Sequence, residues 1–163
     1  MGKRRGAGAG TPATTALTRL GLSFGVHPYD HDPAAASYGL EAAAALSVPP
    51  RQVFKTLLVE GDRGLAVALV PVDRTLDLKS VAAALGVKKV AMADPAVAER
   101  STGYVVGGIS PLGQKKALPT VVDRSATDFD LVYVSGGHRG LDLSLSPADL
   151  VTATRATVAA IAR

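Results

Sequence analysis

The feature that most constrains the fold of this chain is a pair of apolar runs separated by a short turn-forming segment. Residues 53–59 and 65–72 are rich in valine and leucine, and each run has the length of one β-strand. The connection, residues 61–64, has the sequence Gly-Asp-Arg-Gly, which is typical of a tight turn. Two apolar runs joined by so short a connection predict an antiparallel β-hairpin.

Helix and strand signals are mixed along the rest of the chain. Thr11 before Pro12, like Asp94 before Pro95, pairs a helix-capping side chain with a proline suited to the first turn. The predicted helices are residues 11–21, 40–46, 78–85, 94–103 and 146–163, and the further predicted strands are residues 24–28, 90–93, 121–122, 131–135 and 141–145. Because strands and helices do not alternate strictly, we expect an α+β domain with a mixed sheet that is curled or barrel-like.

Length and cysteine content limit the classes of protein to which the chain can belong. The 163 residues suit a single domain, and we expect a folded unit at 11–163 after a basic, glycine- and alanine-rich tail at 1–10. The chain has no cysteine, which excludes disulfides, thiolate metal sites and a protein thiol nucleophile. Its apolar runs are far shorter than the ~20 residues of a transmembrane helix, and the tail lacks the apolar core of a secretory signal. We therefore expect a soluble, cytoplasmic protein without a membrane partner.

The net charge does not by itself identify a nucleic-acid partner. Lys3, Arg4 and Arg5 account for three of the four net positive charges, so the remaining residues carry a net charge near one. The tail is either a solvated segment or a weak phosphate-binding one, and the sequence leaves both open. A tRNA-binding surface would have to come from local clustering of lysine and arginine.

Residues 27–32, with the sequence His-Pro-Tyr-Asp-His-Asp, are the first candidate for chemistry. Imidazole and carboxylate are metal ligands, but His27 and His31 lie four residues apart beside a proline rather than on one face of a helix. A polar loop at a strand end is the favoured interpretation, and we expect no metal. Tyr29 is a candidate aromatic or hydroxyl contact at a pocket rim.

Lys55 is the second candidate, because it stands inside an apolar strand. Burial of an ammonium group without a partner costs free energy. Strand alternation places Lys55 on the face shared with Val53 and Leu57, whereas Thr56 faces the opposite side. The side chain then projects either into a pocket or, by extending along the apolar surface, into water.

Residues 101–116 form a glycine-rich segment whose backbone amides could approach an anion or a carbonyl group. The segment is not a Walker A loop, since Gln114 occupies the position that requires lysine. Nor is it a nucleophile elbow, since Leu112 replaces a required glycine after Ser110. The pattern indicates that the backbone of this segment closely approaches another group, but it does not identify that group.

Residues 134–142 contain three glycines typical of a tight turn, followed by Asp142 at the start of an apolar strand. The Asp142 carboxylate could orient a substrate amine, and Arg139 could bind phosphate. The sequence contains no recognisable Ser-His-Asp arrangement and no convincing pair of carboxylates. Hydrolysis by this chain would therefore proceed without a protein nucleophile.

Taken in order, these segments resemble the YbaK-like branch of the prolyl-tRNA editing (YbaK/EbsC) superfamily. The resemblance runs from Thr11 to about Leu145 and is weaker through the last predicted helix. Its most specific part is residues 92–116, which begin Met-Ala-Asp-Pro and end Gly-Gly-Ile-Ser-Pro-Leu-Gly-Gln-Lys-Lys. The segments Val-Phe-Lys-Thr-Leu-Leu and Tyr-Val-Ser-Gly-Gly-His-Arg-Gly-Leu-Asp support it.

The resemblance implies a single YbaK-like domain, a mixed β-barrel-like sheet surrounded by helices. It also implies trans-editing deacylation of mischarged tRNA, typically Cys-tRNA(Pro), by substrate-assisted ester cleavage. The implied partners are the acceptor end of an aminoacylated tRNA and prolyl-tRNA synthetase, without a cofactor. Two alternatives stay open: an Ala-tRNA(Pro) deacylase of the same superfamily, and a non-catalytic domain that binds tRNA or nucleotide, or docks on a synthetase.

The resemblance also implies the site residues. The positions that carry over are Lys55, Gly107 and Asp142 as catalytic residues, with Tyr29, Thr56 and Ser135 in substrate binding. Two further positions are predicted to contact substrate. Tyr38 stands where the family often has phenylalanine, and Gly108 could present its backbone amide beside that of Gly107.

Overall fold

The computed structural model describes residues 10–163, whose eight strands form two sheets. The strands are β1 (Gly25–Pro28), β2 (Phe54–Gly61), β3 (Gly64–Pro71), β4 (Val90–Met92), β5 (Thr120–Asp123), β6 (Val132–His138), β7 (Leu141–Leu145) and β8 (Thr157–Ala159). A three-stranded sheet has the order β1-β7-β6, and a five-stranded sheet has the order β4-β2-β3-β5-β8. The predicted tail lies outside the described residues except for Gly10.

The predicted hairpin is the centre of the five-stranded sheet. β2 and β3 pair antiparallel from Phe54 opposite Pro71 to Gly61 opposite Gly64, as the turn sequence predicted. β3 then pairs parallel with β5, and β5 pairs parallel with β8, so the sheet is mixed. Buried side chains from both faces of the hairpin enter separate apolar clusters, with Phe54 and Leu69 in one and Val59 in the other.

Helices pack around the sheets, and their ends follow the predicted capping signals. They are α1 (Pro12–Arg19), α2 (Tyr38–Leu46), α3 (Leu78–Leu85), α4 (Pro95–Thr102) and α5 (Pro147–Thr154), with short 3-10 helices at Pro50–Gln52 and Arg124–Asp128. Thr11, Asp94 and Ser146 each accept a backbone N–H at a helix start and precede a proline. The predicted α+β class is confirmed.

The prediction that the last helix runs close to Arg163 is wrong. α5 ends at Thr154 because Arg155 adopts a left-handed conformation with φ of 57°. The chain then forms β8, which pairs parallel with β5. The β-branched residues of Thr157-Val158 suit that strand, and Ile161 after it is fully buried.

The two sheets meet along the N-terminal part of β2, and this junction sets the position of the site. A parallel bridge joins Val53 to Tyr133 of β6. Further along β2, pairing with β4 begins only at Val59. Between these points the strand pairs with β3 on one side and leaves its other edge open. The expected barrel-like arrangement thus takes the form of two sheets with a gap at one corner.

Candidate active site

A cavity of about 410 Å³ lies at this gap between the sheets. Its volume is in the range of small-molecule sites in proteins. It is lined by seven of the eight residues that the sequence indicated, namely Tyr29, Tyr38, Lys55, Thr56, Gly107, Ser135 and Asp142. These residues come from the segment directly after β1, from α2 and β2, from the loop after α4, and from β6 and β7, so the fold assembles them from most of the chain length.

Lys55 lines the cavity from the open edge of β2. Burial lowers the pKa of its ammonium group, while Asp73 raises it by electrostatic attraction. Within residues 10–163 the Lys55 amine makes no hydrogen bond and no ion pair. Its cationic form is therefore attracted by Asp73 but forms no direct ion pair, so the ammonium group is available to an anionic group of a ligand.

Asp142 is the second ionisable group in the cavity, and it is almost fully buried, with 5% of its surface exposed. Burial raises the pKa of its carboxyl group to about 7. Asp142 pairs with Ser135 across the β6–β7 ladder. Burial, followed by repulsion from Asp142, also raises the pKa of Tyr29 to about 12, so its hydroxyl stays protonated and able to donate.

Thr56 lines the same cavity, and its hydroxyl oxygen is shielded from solvent. Its Oγ1 is, within residues 10–163, the one fully buried side-chain oxygen or nitrogen that has no hydrogen-bond partner. Buried polar groups in proteins are nearly always paired, and an exception calls for an explanation such as a bound ligand. Alternation along β2 predicted that Lys55 and Thr56 face opposite sides, yet both line the cavity because it extends around the open strand edge.

Gly107 lies at the cavity wall in a conformation that only glycine adopts readily, with φ of 94°. A Cβ atom at this position would approach Cε2 and Cδ2 of Tyr38 to 2.9 and 3.0 Å and would also meet Arg139. The Arg139 guanidinium stacks over the Tyr38 ring at 4.4 Å from its centroid. Within residues 10–163 the Gly107 N–H has no hydrogen-bond acceptor, so it is available to a ligand.

Gly108 is the one predicted contact that does not line the cavity. Its N–H is donated to the Val105 carbonyl at 2.8 Å and is not free to bind a substrate. A Cβ atom on Gly108 would lie 2.6 Å from Cα of His138. Gly108 therefore serves the close packing of its loop against the β6–β7 turn, and the predicted pair of backbone donors is reduced to Gly107.

The two histidines at residues 27–32 do not come together at a ligand site. His27 Nε2 shares a hydrogen bond with Ser144 Oγ at 2.8 Å. His31 Nδ1 lies 2.9 Å from a Glu41 oxygen and forms an ion pair when protonated. In the part of the chain that the structure describes, no group of three His, Asp or Glu side chains is arranged to hold a metal.

Most of the glycine-rich segment has a structural role. The Tyr104 hydroxyl donates to the Leu112 carbonyl at 2.6 Å, and the Lys115 N–H donates to the Thr102 carbonyl at 2.8 Å. Lys115 and Lys116 are exposed and do not line the cavity. They are therefore near Gly107 in the sequence but do not contribute to the site.

Several cavity residues were not predicted from the sequence. His138, Met92 and Val106 line the cavity, and Met92 and Val106 have 50% and 37% of their surface exposed. His138 could have been suspected, because it stands inside the Ser-Gly-Gly-His-Arg-Gly turn next to Arg139. Met92 and Val106 carry no local signal, since an apolar residue near a strand end or in a loop is common.

No helix within residues 10–163 is long and apolar enough to cross a membrane.

Comparison with known proteins gives the chain a set of relatives. The model of the family described as "Aminoacyl-tRNA editing domain" matches residues 32–153. A protein of Enterococcus faecalis named "Putative Cys-tRNA(Pro)/Cys-tRNA(Cys) deacylase EbsC" is 38% identical over 120 residues, which are 73% of this chain and 73% of that protein. A proline–tRNA ligase of Thermosipho africanus is 31% identical over 94 residues, which are 58% of this chain but only 16% of the ligase.

A solved structure extends the likeness to the whole fold. The crystal structure described as "a putative trans-editing enzyme for prolyl tRNA synthetase" superposes with a TM-score of 0.85 and 26% sequence identity. The superposition covers 96% of this chain and 98% of that one. The likeness therefore includes both sheets.

Proposed function

Because this chain belongs to the aminoacyl-tRNA editing domain family, we propose that it is an aminoacyl-tRNA deacylase that acts in trans on mischarged tRNA. The observation that carries the proposal is a cavity lined by a lysine and an aspartate, Lys55 and Asp142, that are not paired with each other. The aminoacyl end of a tRNA has a complementary pattern, with an ammonium group beside the ester and phosphate further along. Asp142 binds the ammonium group, and Lys55 binds the ester region or the terminal phosphate.

The remaining cavity groups suit stabilisation of the reacting ester. An aminoacyl ester is already activated, so the site needs to position it and stabilise the oxyanion that develops at the carbonyl. A well-placed donor contributes about 3–4 kcal/mol to such a reaction. The unpaired Gly107 N–H supports its assignment as that donor, and the position of Thr56 in the cavity lining supports a contact with the substrate. Tyr29, Tyr38 and Ser135 complete the substrate-binding wall.

We propose that the substrate supplies its own nucleophile. The chain has no cysteine. The two serines that line the cavity, Ser37 and Ser135, accept backbone N–H groups of Leu40 and Gly137 at 3.3 and 3.2 Å, and neither has a basic partner. In a bound cysteinyl ester, the substrate sulfur attacks its own ester carbon and the bond from that carbon to the ribose oxygen breaks. The thiol proton passes to the ribose oxygen, leaving the free tRNA hydroxyl and a four-membered thiolactone made from the sulfur, Cβ, Cα and carbonyl carbon of the former aminoacyl group. Water then opens the thiolactone to free cysteine.

The limited selectivity of aminoacyl-tRNA synthetases explains why a separate editing site is needed. The active site of a synthetase separates near-isosteric amino acids by only roughly 1–3 kcal/mol, so a second site is required to remove errors. The match to proline–tRNA ligases supports Cys-tRNA(Pro) as the substrate and prolyl-tRNA synthetase as a partner. A cytoplasmic location follows from the proposal, because such tRNAs are used in translation.

A single-turnover assay tests the function. Purified protein in excess is mixed with radiolabelled Cys-tRNA(Pro), Ala-tRNA(Pro) or Pro-tRNA(Pro), and loss of the ester is followed against an enzyme-free reaction. We expect rapid loss of the cysteinyl ester and a stable prolyl ester. Lys55→Ala should abolish the reaction, and Lys55→Arg should restore little, because a planar guanidinium does not replace a compact ammonium group. Lys79→Ala, at an exposed position on α3, is the matched control and should behave as the unaltered protein.

The outcomes separate the proposal from its two alternatives. Preferential cleavage of Ala-tRNA(Pro) would identify an alanine-specific enzyme of the same family. Binding of tRNA without cleavage of any ester would identify a non-catalytic domain. Near-normal activity in Lys55→Ala would contradict the assigned site even if the protein deacylates tRNA.

A further inference from the structure

Arg139 lies in the turn between β6 and β7 and is exposed, yet its side chain makes two specific contacts. Its Nη2 donates to the Val106 carbonyl oxygen at 2.7 Å, across 33 residues of sequence. Its guanidinium also lies over the Tyr38 ring at 4.4 Å. One arginine therefore connects the β6–β7 turn to the start of α2 and to the loop that carries Gly107.

The acceptor of this hydrogen bond belongs to the peptide unit that contains the Gly107 N–H. In a trans peptide the carbonyl oxygen and the N–H point in opposite directions, so a group that holds the oxygen also fixes the direction of the N–H. The same residue is held on its other side, because the Val106 N–H donates to Glu99 Oε2 at 2.8 Å. Val106 is thus held between an anionic side chain on α4 and a cationic one on the β6–β7 turn.

The consequence concerns the strength as well as the direction of the Gly107 donor. A hydrogen bond from a charged group to a carbonyl polarises the peptide and makes its N–H a better donor, as in other cooperative hydrogen-bond chains. Tyr38 and Arg139 also contact Gly107 closely enough that a Cβ atom there would meet both. The peptide is therefore held by hydrogen bonds at its oxygen and by packing at its glycine.

We propose that Arg139 is a positioning residue that orients and polarises the Val106–Gly107 peptide toward the substrate carbonyl, with Tyr38 holding its guanidinium in place. This inference rests on the proposed function, in which the Gly107 N–H stabilises the oxyanion. This positioning role differs from the binding of a tRNA phosphate, which is the alternative role for an exposed arginine here. A positioning role changes the rate of the bound complex, whereas a phosphate contact changes the affinity and its dependence on salt.

The kinetic test compares these two roles in the full-length protein. Arg139→Met removes the donor and keeps a long side chain over Tyr38, and Arg139→Ala opens space for a soluble guanidinium. We expect the saturated single-turnover rate on Cys-tRNA(Pro) to fall about tenfold to a hundredfold in both variants. The dissociation constant for uncharged tRNA should stay within about twofold of that of the unaltered protein, since this role adds no ligand contact. Methylguanidinium should restore part of the rate in Arg139→Ala but not in Arg139→Met.

An NMR measurement tests the positioning without relying on catalysis. In ¹⁵N-labelled protein, Arg139→Met should shift the Gly107 amide proton resonance, because its peptide loses a charge-assisted hydrogen bond. Arg63→Met, in the exposed β2–β3 turn, is the matched control and should leave both the resonance and the rate unchanged. Circular dichroism establishes that each variant is folded.

The outcomes are distinguishable. Unchanged saturated rate with weaker, less salt-dependent tRNA binding in Arg139→Met would overturn the inference in favour of a phosphate contact. An unchanged Gly107 resonance would overturn it as well. If the unaltered protein cleaves no mischarged tRNA, the proposed function fails, while the Gly107 resonance still decides whether Arg139 controls this peptide.

Discussion

Thr56 carries a hydroxyl oxygen that is buried and unpaired within residues 10–163, although a valine would fill the same space. An unsatisfied buried hydroxyl costs roughly 1–3 kcal/mol of stability. An unsatisfied group in a residue that lines a cavity is expected where function, rather than packing, determines the residue. The same applies to Lys55, whose ammonium group lies at the wall without an ion-pair partner among the described residues.

Thr56→Val tests this interpretation, because it removes the hydroxyl and conserves the shape of the side chain. We expect the free energy of unfolding, measured with urea, to rise by about 1 kcal/mol, since the unpaired group is lost. Deacylation should fall about tenfold, since one substrate hydrogen bond is lost. Thr56→Ser keeps the hydroxyl and is the control for activity. A variant that is both less stable and fully active would show that the hydroxyl serves the fold instead.

Asp142 leads to a prediction about pH and stability. Burial raises its pKa from 3.8 to about 7, so between these values the folded protein binds a proton that the unfolded chain has released. Stability should therefore fall as the pH rises from about 4 to about 7, and stay low above that. Asp142→Asn, which cannot ionise, should be more stable than the unaltered protein at pH 8 and equally stable at pH 4. Urea unfolding at the two pH values measures the difference.

Activity provides the other half of the Asp142 prediction. At pH 8 the ionised carboxylate binds the substrate ammonium group, so Asp142→Asn should lose most of its deacylation while gaining stability. Opposite changes in the two properties are expected of a residue that serves the site at the expense of the fold. A variant that is less stable at pH 8 would contradict the proposal that the buried carboxylate is unpaired.

At the scale of elements, local sequence signals predicted the structure wherever a short segment specifies it. The hairpin of β2 and β3 and the caps at Thr11, Asp94 and Ser146 depend on neighbouring residues. β8 depends instead on pairing with β5, which lies more than thirty residues earlier in the chain. Since three residues carry little periodic signal, the segment could not be separated from the preceding helix by sequence alone.

Asp123 fixes the chain that follows β8 and gives a prediction for that element. Its Oδ1 accepts the Ile161 and Ala162 N–H groups at 2.8 and 3.0 Å. Burial raises the pKa of Asp123, but the hydrogen bonds from Ser125 and from these backbone groups outweigh it, and the net pKa is lowered. The carboxylate therefore contributes stability above pH ~4, which is lost as the pH falls through its lowered pKa.

Asp123→Asn should lower the free energy of unfolding at pH 7 by about 2 kcal/mol, the usual size for hydrogen bonds to a charged group. The difference from the unaltered protein should shrink at pH 3, where the carboxylate begins to be protonated. Asp128→Asn, at an exposed position on the 3-10 helix that directly follows Asp123, is the matched control and should change stability little. Equal destabilisation at both pH values would show that the charge of Asp123 is not what holds the C-terminal segment.

At the scale of the whole molecule, the site exists because two sheets leave a gap where β2 passes from Val53 to Val59. The sequence indicated the groups that line the gap, but it could not show that Lys55 and Thr56 share one cavity, because strand alternation predicts opposite faces. It also could not show that Gly108 packs against His138, since that contact joins segments thirty residues apart. Side-chain chemistry was accessible from the sequence, whereas geometry that depends on where a strand loses its partner was not.

The substrate-assisted mechanism makes the final prediction, which concerns the molecule and its substrate together. Cysteine and serine differ by one atom and fit the same cavity, but a thiol ionises near neutral pH and is much the stronger nucleophile. If the cavity holds the aminoacyl group so that its side chain reaches the ester carbon, Cys-tRNA(Pro) should be cleaved about a hundredfold faster than Ser-tRNA(Pro). Mass spectrometry of early time points should detect the thiolactone, and Lys55→Ala should not produce it. Equal rates for the two esters would contradict this mechanism while leaving the deacylase function intact, because a site that activates water would not distinguish sulfur from oxygen.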